Sequence, residues 1–313
     1  MNRRAVLKAA AATAAAAPLA TAMATPAAAV STNPRITQWE HATSTSHQAW
    51  WTQQCNGICT DGQYWYAVSN SSRDRRVYKL SMDFRTVVAS NAAPADYLHI
   101  GAPTFDPVRK LLYVPVERDG GEPCYVWTMT SALNSLTTLK LSGRTAGSRS
   151  PQKHKAPWVA YNPIDRLLYS SAYGPPDTTD PALQVNWLNA FSPVDGTLKK
   201  QVLLPSKLHN VQGGGISGNG NIFLATDYAF NGAKRIYSYD LSNARDQQVA
   251  PYWGNIAIPD SSDEDGLEVE HCTLASLAWD GGRSTSVTAV VLNTEVEDDV
   301  YLRHYWVPYP AAL

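Results

Sequence analysis

Long apolar segments are missing from this sequence of 313 residues. Beyond the N-terminus, no run approaches the roughly 20 apolar residues that a membrane-spanning helix needs. Positive charge is not in excess either. Of the 26 Lys and Arg, three lie near the N-terminus (Arg3, Arg4 and Lys8), and the remaining 23 face 27 Asp and Glu, a net charge of −4. That balance disfavours nucleic acid and anionic membrane surfaces. We therefore expect no nucleic-acid partner and no membrane insertion.

Motifs of several enzyme classes are missing as well. The sequence contains no G-x-S-x-G, H-E-x-x-H or P-loop motif. Gly213–Gly218 satisfies the pattern G-x-G-x-x-G, but a strand-like run follows it instead of a helix, so it predicts no dinucleotide site. Cysteines are few: Cys55, Cys59, Cys124 and Cys272. We expect Cys55 and Cys272 to be the pair to test for a disulfide, because both lie near the start of a predicted innermost strand.

The first 29 residues have the composition of an export signal. A basic head is followed by an Ala-rich run and by Ala27–Ala29, which suits cleavage after small residues. Arg3-Arg4 with Leu7-Lys8 resembles the twin-arginine export motif, although Asn2 stands where that motif usually has Ser or Thr. The resemblance implies folding in the cytoplasm followed by export. We expect a signal peptide over residues 1–29 and a secreted domain over residues 30–313.

The predicted domain contains five copies of a unit of short strand-like runs, each rich in β-branched and aromatic residues and bounded by turn residues. The second run of each copy ends at Asn70, Glu117, Tyr173, Asp227 and Asn293, with spacings of 47, 56, 54 and 66 residues. A period near 50 residues with four short strands is typical of a propeller blade. We predict an all-β chain that forms a single β-propeller of five four-stranded blades.

The last copy has no fourth run, whereas Ile36–Glu40 is a strand-like run without a blade. Pairing the two would close the ring and protect its edges. Asp106-Pro107 and Asn162-Pro163, each with Leu-Leu-Tyr beginning four residues after the proline, resemble the repeats of the broad superfamily of lactonase-like, senescence-marker-like and quinoprotein-like β-propellers. Many members of those families have six or seven blades, whereas this chain has five copies.

The innermost strands of a propeller line its central channel, so the starts of the first runs and the ends of the second runs should converge on the axis. The first runs offer Asn56, His99, Trp158, His209 and Gln212, and in the last blade one or more of Asp265, Glu268, Glu270 and His271. The second runs offer Asn70, Glu117, Tyr173, Asp227 and Asn293. Because these residues differ from blade to blade, we predict one specialised site on the axis.

Two functions suit such a site. The first is a hydrolase or lyase acting on a small molecule or glycan, in which His99 and His209 transfer protons and Glu117 and Asp227 act as acid and base. The second is a lectin-like module that binds without turnover. Lectin propellers usually repeat one binding residue set in every blade, which this chain does not, so the enzyme is favoured. In both cases the predicted ligand-binding residues are Asn56, Trp158, Tyr173, Gln212 and His271.

A divalent cation would suit part of the same set. Asn70, Glu117, Asp227 and Asn293 carry oxygen ligands of the kind that Ca²⁺ takes. The resemblance to senescence-marker-like propellers implies a metal held on the axis by carboxylates and Asn. We therefore expect Ca²⁺ or another divalent cation at these four residues, in a protein that we expect to be a monomer.

Overall fold

A computed structural model describes residues 40–48, 50–52, 54–71, 74–118, 124–152, 156–180, 183–227, 234–258, 267–275, 286–293 and 299–306. The predicted signal peptide lies outside these residues. Strands, turns and isolated bridges make up the described ranges, and no helix there could cross a membrane.

The strands follow one another along the chain with short connections. They are β1 (Glu40–Gln48), β2 (Cys55–Thr60), β3 (Trp65–Ser71), β4 (Asp74–Leu80), β5 (Val87–Ala92), β6 (Tyr97–Ile100), β7 (Thr104–Asp106), β8 (Leu111–Arg118), β9 (Tyr125–Thr130), β10 (Ser135–Lys140), β11 (Ala160–Tyr161), β12 (Leu168–Ser170), β13 (Val185–Phe191), β14 (Leu198–Leu208), β15 (Val211–Ile216), β16 (Asn221–Thr226), β17 (Arg235–Asp240), β18 (Tyr252–Ala257), β19 (Leu267–Ala275), β20 (Ser286–Asn293) and β21 (Asp299–Trp306).

Five antiparallel sheets form the five blades of a β-propeller, as the sequence repeat predicts. Strands β2 to β5 form blade 1, β6 to β10 blade 2, β11 to β14 blade 3, and β15 to β18 blade 4. Blade 5 consists of β19, β20, β21 and the N-terminal β1. The innermost strand of blade 2 is split, since both β6 and β7 pair with β8.

The ring closes through the N-terminal strand. β1 pairs antiparallel with β21, from Glu40 opposite Trp306 to Gln48 opposite Asp299. The predicted closure is confirmed, but the strand begins where the predicted run Ile36–Glu40 ends, and residues 36–39 lie outside the described residues. The run Glu40–Gln48 is polar and lacks apolar alternation, because an outermost strand can face solvent on both sides and needs only backbone pairing and Thr-rich β propensity.

Packing between neighbouring blades holds the ring together. Four of five hydrophobic clusters join residues of two consecutive blades, and the fifth joins blades 3 and 4 with Ala102 of blade 2. Between blades 5 and 1, for example, Ile58 and Trp65 pack with Val300 and Leu302, and all four side chains are buried. Fully burying a side chain of this size contributes about 1.5–3 kcal/mol. The ring therefore owes its stability to contacts between blades and not to a single central core.

The four cysteines are free and buried, so Cys55 and Cys272, the pair singled out for testing, do not form a disulfide here. Cys55 lies in the cluster between blades 5 and 1, whereas Cys272 lies in the cluster between blades 4 and 5. The Cys272 thiol instead donates to the carbonyl oxygen of Phe223, at 3.2 Å. Burial raises the pKa of both thiols to about 12, so neither is a reactive thiolate at neutral pH.

An Asp or Asn closes the turn after the innermost strand in each of the first three blades. Asp106 Oδ1 accepts a hydrogen bond from Val108 N at 2.8 Å, and Asn162 Oδ1 accepts one from Ile164 N at 3.0 Å. Asp61 caps its turn in the same way. Such side-chain caps, with a proline next in the chain, fix the turn locally, which explains the Asp-Pro and Asn-Pro motifs.

Candidate active site on the propeller axis

A β-bulge near the start of the innermost strand inserts one extra residue in three blades. The residue is Asn56 in β2, Gln212 in β15 and Glu270 in β19. The residues on either side pair with consecutive residues of the second strand, so the register of the ladder skips the inserted residue. Bulges re-aim side chains in this way. Here they turn three polar side chains towards the axis.

These three side chains help to line a cavity of about 280 Å³, to which all five blades contribute. We call it the axial pocket; its lining residues are Gln54, Asn56, His99, Pro157, Tyr173, Gln212 and Glu270. Blade 2 has Gly101 at the position that Asn56, Gln212 and Glu270 occupy in their blades, and blade 3 has Pro157. The pocket therefore has polar bulged residues on the side of blades 4, 5 and 1, and His99 and Tyr173 on the side of blades 2 and 3.

One residue further along, the five innermost strands pack tightly across the axis. The residues there, which we call the axial belt, are Gly57, Ala102, Trp158, Gly213 and His271. A Cβ atom on Gly57 would lie 2.6 Å from Ala102 Cβ, and one on Gly213 would lie 2.2 Å from His271 Nδ1. Ala102 and Trp158 form a parallel bridge. Glycine permits such close approach between strands, and the belt closes one end of the axial pocket.

His99 is held between Asn56 and Glu117 at the pocket wall. Asn56 Nδ2 lies 2.9 Å from His99 Nε2, and it also donates to the carbonyl oxygen of Ile100 at 3.2 Å. Since Nδ2 is a donor, Nε2 must accept, and the neutral imidazole carries its proton on Nδ1. Glu117 lies opposite His99 in the ladder between β6 and β8, with Oε1 3.5 Å from Nδ1. The carboxylate therefore faces the protonated nitrogen.

A buried carboxyl group, that of Glu270, is the acidic side chain among the described residues that line the pocket. Glu270 is only 6% exposed and lines the pocket directly. Its charge adds to burial, the larger cause, in raising the pKa of the neighbouring Cys55 thiol. None of the described residues that line the pocket is a Lys or Arg. Carboxyl, amide, imidazole and phenol groups thus converge without a Lys or Arg among the described lining residues.

Of the predicted ligand-binding residues, the structure places Asn56, Tyr173 and Gln212 on the pocket wall. Trp158 and His271 lie on the axis too, but in the belt. The Trp158 side chain is fully buried and donates from Nε1 to Ser171 Oγ at 3.2 Å. His271 is 1% exposed, and burial lowers its pKa to about 3. Neither ring presents a face to a ligand in the pocket.

The bulge in β19 explains why Glu270 lines the pocket in the last blade and His271 does not. An inserted residue exchanges the faces of the side chains that follow it. The sequence alone predicts Glu270 only as one of several candidates in the last blade, and it does not predict Gln54 or Pro157.

The only sequence feature that could have pointed to these two residues is their position next to predicted site residues: Gln54 lies two residues before Asn56, and Pro157 directly precedes Trp158.

Two of the predicted cation ligands join neighbouring blades. Asn70 Oδ1 accepts from Ile100 N, and Asp227 Oδ1 accepts from Val269 N, both at 3.0 Å. Each bond runs from the end of a second strand to the innermost strand of the next blade. These side-chain oxygens therefore satisfy backbone N–H groups that begin the next blade.

Among the described residues, no group of three or more His, Cys, Asp or Glu could hold a metal ion. Two of the predicted cation ligands are Asn, and the side chain of Asn293 lies outside the described residues, so the cation site stays a prediction. His209, the remaining predicted proton carrier, is half-buried before the turn at Asn210, whose φ is 46°, and is not among the residues that line the pocket.

No protein-family model matches the chain, and no curated protein matches it. Similar solved structures include hydrazine synthase from Kuenenia stuttgartiensis, with 12% identity over 78% of this chain and 64% of that chain and a TM-score of 0.42. The tail fibre of Staphylococcus aureus phage P68 has 12% identity over 82% and 49%, with a TM-score of 0.49. The PQQ-bound form of aldose sugar dehydrogenase from Streptomyces coelicolor has 11% identity over 85% and 100%, with a TM-score of 0.44.

The chain spans less than two thirds of the length of the first two of these structures. Identities this low concern the fold alone, and TM-scores below 0.5 carry no argument about activity. The resemblance to lactonase-like, senescence-marker-like and quinoprotein-like propellers stays a prediction in its details.

Proposed function

We propose that the protein is a hydrolase or lyase that acts on one small, hydroxyl-rich molecule in the axial pocket. The observation that carries the proposal is the convergence of unlike polar side chains from different blades, with Glu270 on one side and His99 on the other. We also propose, from the signal-like N-terminus, that the protein works after export.

The size of the pocket favours a molecule of roughly monosaccharide dimensions. Its volume of about 280 Å³ is just below the range of roughly 300–1,000 Å³ typical of sites for drug-sized ligands. A glycan chain would have to extend beyond it. The range of possible substrates thus narrows from a small molecule or glycan to a small molecule, or to one terminal sugar unit.

The charge of the pocket favours a neutral ligand over an anion. Glu270 is buried on the axis, and the described lining residues include no Lys or Arg to offset it. A phosphate or carboxylate would meet a like charge in a poorly solvated site. Gln54, Asn56, Gln212 and Tyr173 can both donate and accept hydrogen bonds, which matches a set of hydroxyl groups.

Hydrolysis and elimination both require one group that accepts a proton and one that donates it. Glu270 accepts in the ionised state. His99 donates when it is protonated, and Glu117, 3.5 Å from Nδ1, stabilises that protonated form. Delivery from Nε2 requires the Asn56 amide to turn away from this nitrogen. Asn56 therefore governs whether His99 takes part in proton transfer.

A second function, binding without turnover, is favoured by the same contact. Asn56 Nδ2 engages the Nε2 lone pair of His99, so the imidazole is a fixed hydrogen-bonding group as long as this contact persists. The two functions predict the same ligand and differ in what Glu270 does.

The test begins with thermal shifts of the purified protein in neutral sugars, sugar lactones and sugar alcohols, with sugar phosphates as the anionic comparison. Ligands that shift the melting temperature are then followed for turnover by NMR. Glu270→Gln should retain binding and lower turnover by about 100-fold or more. Gln212→Ala should weaken binding, whereas Gln63→Ala, an exposed glutamine away from the pocket, should not.

Turnover that survives in Glu270→Gln would remove the catalytic role of this carboxylate. Binding without any turnover would favour the binding module. If sugar phosphates stabilise the protein and neutral sugars do not, the assignment of the ligand class is wrong.

A further inference from the structure

The channel holds a second cavity, of about 400 Å³, on the other side of the axial belt. It lies beside the turns that join the innermost strands to the second strands, and we call it the turn-side cavity. All five blades contribute to it, through Cys59 to Gly62, Pro103 to Phe105, Pro107, Val108, Tyr161, Pro163, Gly214 to Ile216, Gly218, Thr273 and Leu274.

The belt separates the two cavities. Trp158 and His271 fill the axis between them and are 0% and 1% exposed. The backbone of blade 4 lies directly against both rings, since a Cβ atom on Gly214 would lie 3.1 Å from the Trp158 indole and one on Gly213 would meet His271 at 2.2 Å. No residue of the described ranges lines both cavities. A molecule in one cavity therefore does not contact the residues of the other.

Three of the polar side chains that line the turn-side cavity, those of Thr60, Asp61 and Thr104, are hydrogen-bonded within the protein. Thr60 Oγ1 donates to Tyr64 O at 2.9 Å. Asp61 Oδ1 accepts from Tyr64 N and Oδ2 from Tyr66 Oη, both at 2.8 Å. Thr104 Oγ1 accepts from Tyr161 N at 3.1 Å. A ligand that needed to replace these bonds would gain little, because each is already satisfied.

The remaining wall is apolar and in part flat. Phe105, Ile216 and Leu274 line it together with three prolines, and Gly214 and Gly215 expose bare backbone. Phe105 is stacked on Tyr66, with the rings 5.8 Å apart and 6° from parallel, which fixes the plane of the ring. The volume of about 400 Å³ lies within the range of roughly 300–1,000 Å³ for small-molecule sites. An oriented ring and a flat backbone wall suit a planar molecule.

We propose that the turn-side cavity is a binding site for a small, uncharged aromatic molecule. The site is independent of the axial pocket, so its existence does not depend on the proposed hydrolase or lyase activity. Recognition comes mainly from apolar contact and ring packing, since Thr60, Asp61 and Thr104 are hydrogen-bonded within the protein; among the described lining residues, Tyr161 Oη is an exception, buried without a hydrogen-bond partner.

The uncharged fluorescent probe N-phenyl-1-naphthylamine tests the proposal by titration of the full-length protein. Val108, at the rim, is 67% exposed and follows a proline in its turn; Val194 is 72% exposed, also follows a proline, and does not line the cavity. Val108→Asp should weaken saturable probe binding about tenfold, because it replaces an apolar contact with a charge. Val194→Asp should leave binding unchanged and is the matched control.

Two further variants test whether the probe binds inside the turn-side cavity. Ile216→Trp, in a half-buried position of the wall, should fill the cavity and abolish binding while the protein still melts cooperatively. Glu270→Gln, on the other side of the belt, should not alter it. Absence of saturable binding, or equal weakening by Val108→Asp and Val194→Asp, would overturn the proposal.

Discussion

The axial belt has no room for a side chain at Gly213, and the substitution Gly213→Ala tests this. A Cβ atom at this position would lie 2.2 Å from His271 Nδ1 and 2.6 Å from His271 Cα. Rotation of the imidazole could relieve the first contact but not the second, since Cα belongs to the backbone of β19. The innermost strands of blades 4 and 5 would therefore have to move apart.

The expected cost follows from these distances. Overpacking of a closely packed core costs about 1–3 kcal/mol, and a backbone contact well below 3 Å places this substitution at the upper end. Alanine would recover about 0.4–1 kcal/mol by restricting the unfolded chain, since Gly213 has no left-handed φ that would strain an alanine. The net loss is about 2–3 kcal/mol. For a domain of this size that corresponds to about 4–12 °C in melting temperature.

Gly215→Ala is the matched control two residues along the same strand. Its Cβ atom would meet Cys272 O and Thr273 Cα at 3.2 Å, so a shift of a few tenths of an ångström suffices. We expect a loss below about 1 kcal/mol, partly offset by the same unfolded-state effect. Urea unfolding followed by circular dichroism measures both variants. Equal stability of Gly213→Ala and the wild type, or an equal loss in Gly215→Ala, would refute the tight belt.

Three other predictions concern the belt and the pocket. His271 is neutral in the folded state because burial lowers its pKa to about 3, whereas an unfolded His has a pKa of about 6.5; stability should therefore fall as pH drops from about 6.5 towards 3, and His271→Gln should flatten that dependence in denaturant titrations. Asn56→Asp places a carboxylate beside His99 Nε2, so the doubly protonated imidazole should persist to higher pH than in the wild type in an NMR titration, and persistence to lower pH would contradict the assigned contact. EDTA should leave the melting temperature unchanged, because the side-chain oxygens of Asn70 and Asp227 already accept backbone N–H groups; a clear fall, reversed by Ca²⁺, would support the predicted cation site.

The propeller fold can be predicted from the sequence because the blades repeat similar local patterns of strand and turn residues. Turn residues such as Asp106 and Asn162 act within a few residues of their own position, so their pattern predicts the blades and their number. The closing strand is harder to place. Thr45 and its neighbours form an outermost strand with no apolar face, which leaves only weak β propensity in the sequence.

The site is predicted less completely because its geometry depends on contacts between blades. Asn70 and Asp227 have side chains suited to a cation, but each oxygen is used by a backbone N–H of the next blade. The N–H group lies 30 residues from Asn70 in one case and 42 residues from Asp227 in the other. No local sequence pattern predicts a contact over such a separation. The sequence also does not predict the bulge that places Glu270 instead of His271 on the pocket wall, since the bulge depends on the register between β19 and β20.

The bulge also explains how a repeated fold can carry a single, unrepeated site. The register of the ladder skips a bulged residue, so Gln212 and Glu270 can differ without a matching change in the second strand. The next position has the opposite constraint, because its size is set by the neighbouring blade: Gly57 faces Ala102, and Gly213 faces His271. In each of these strands, the bulged residue therefore affects which ligand binds, and the next residue affects the stability of the ring. Substitution at the bulge should alter what the axial pocket holds, whereas substitution one residue later should alter whether the ring closes.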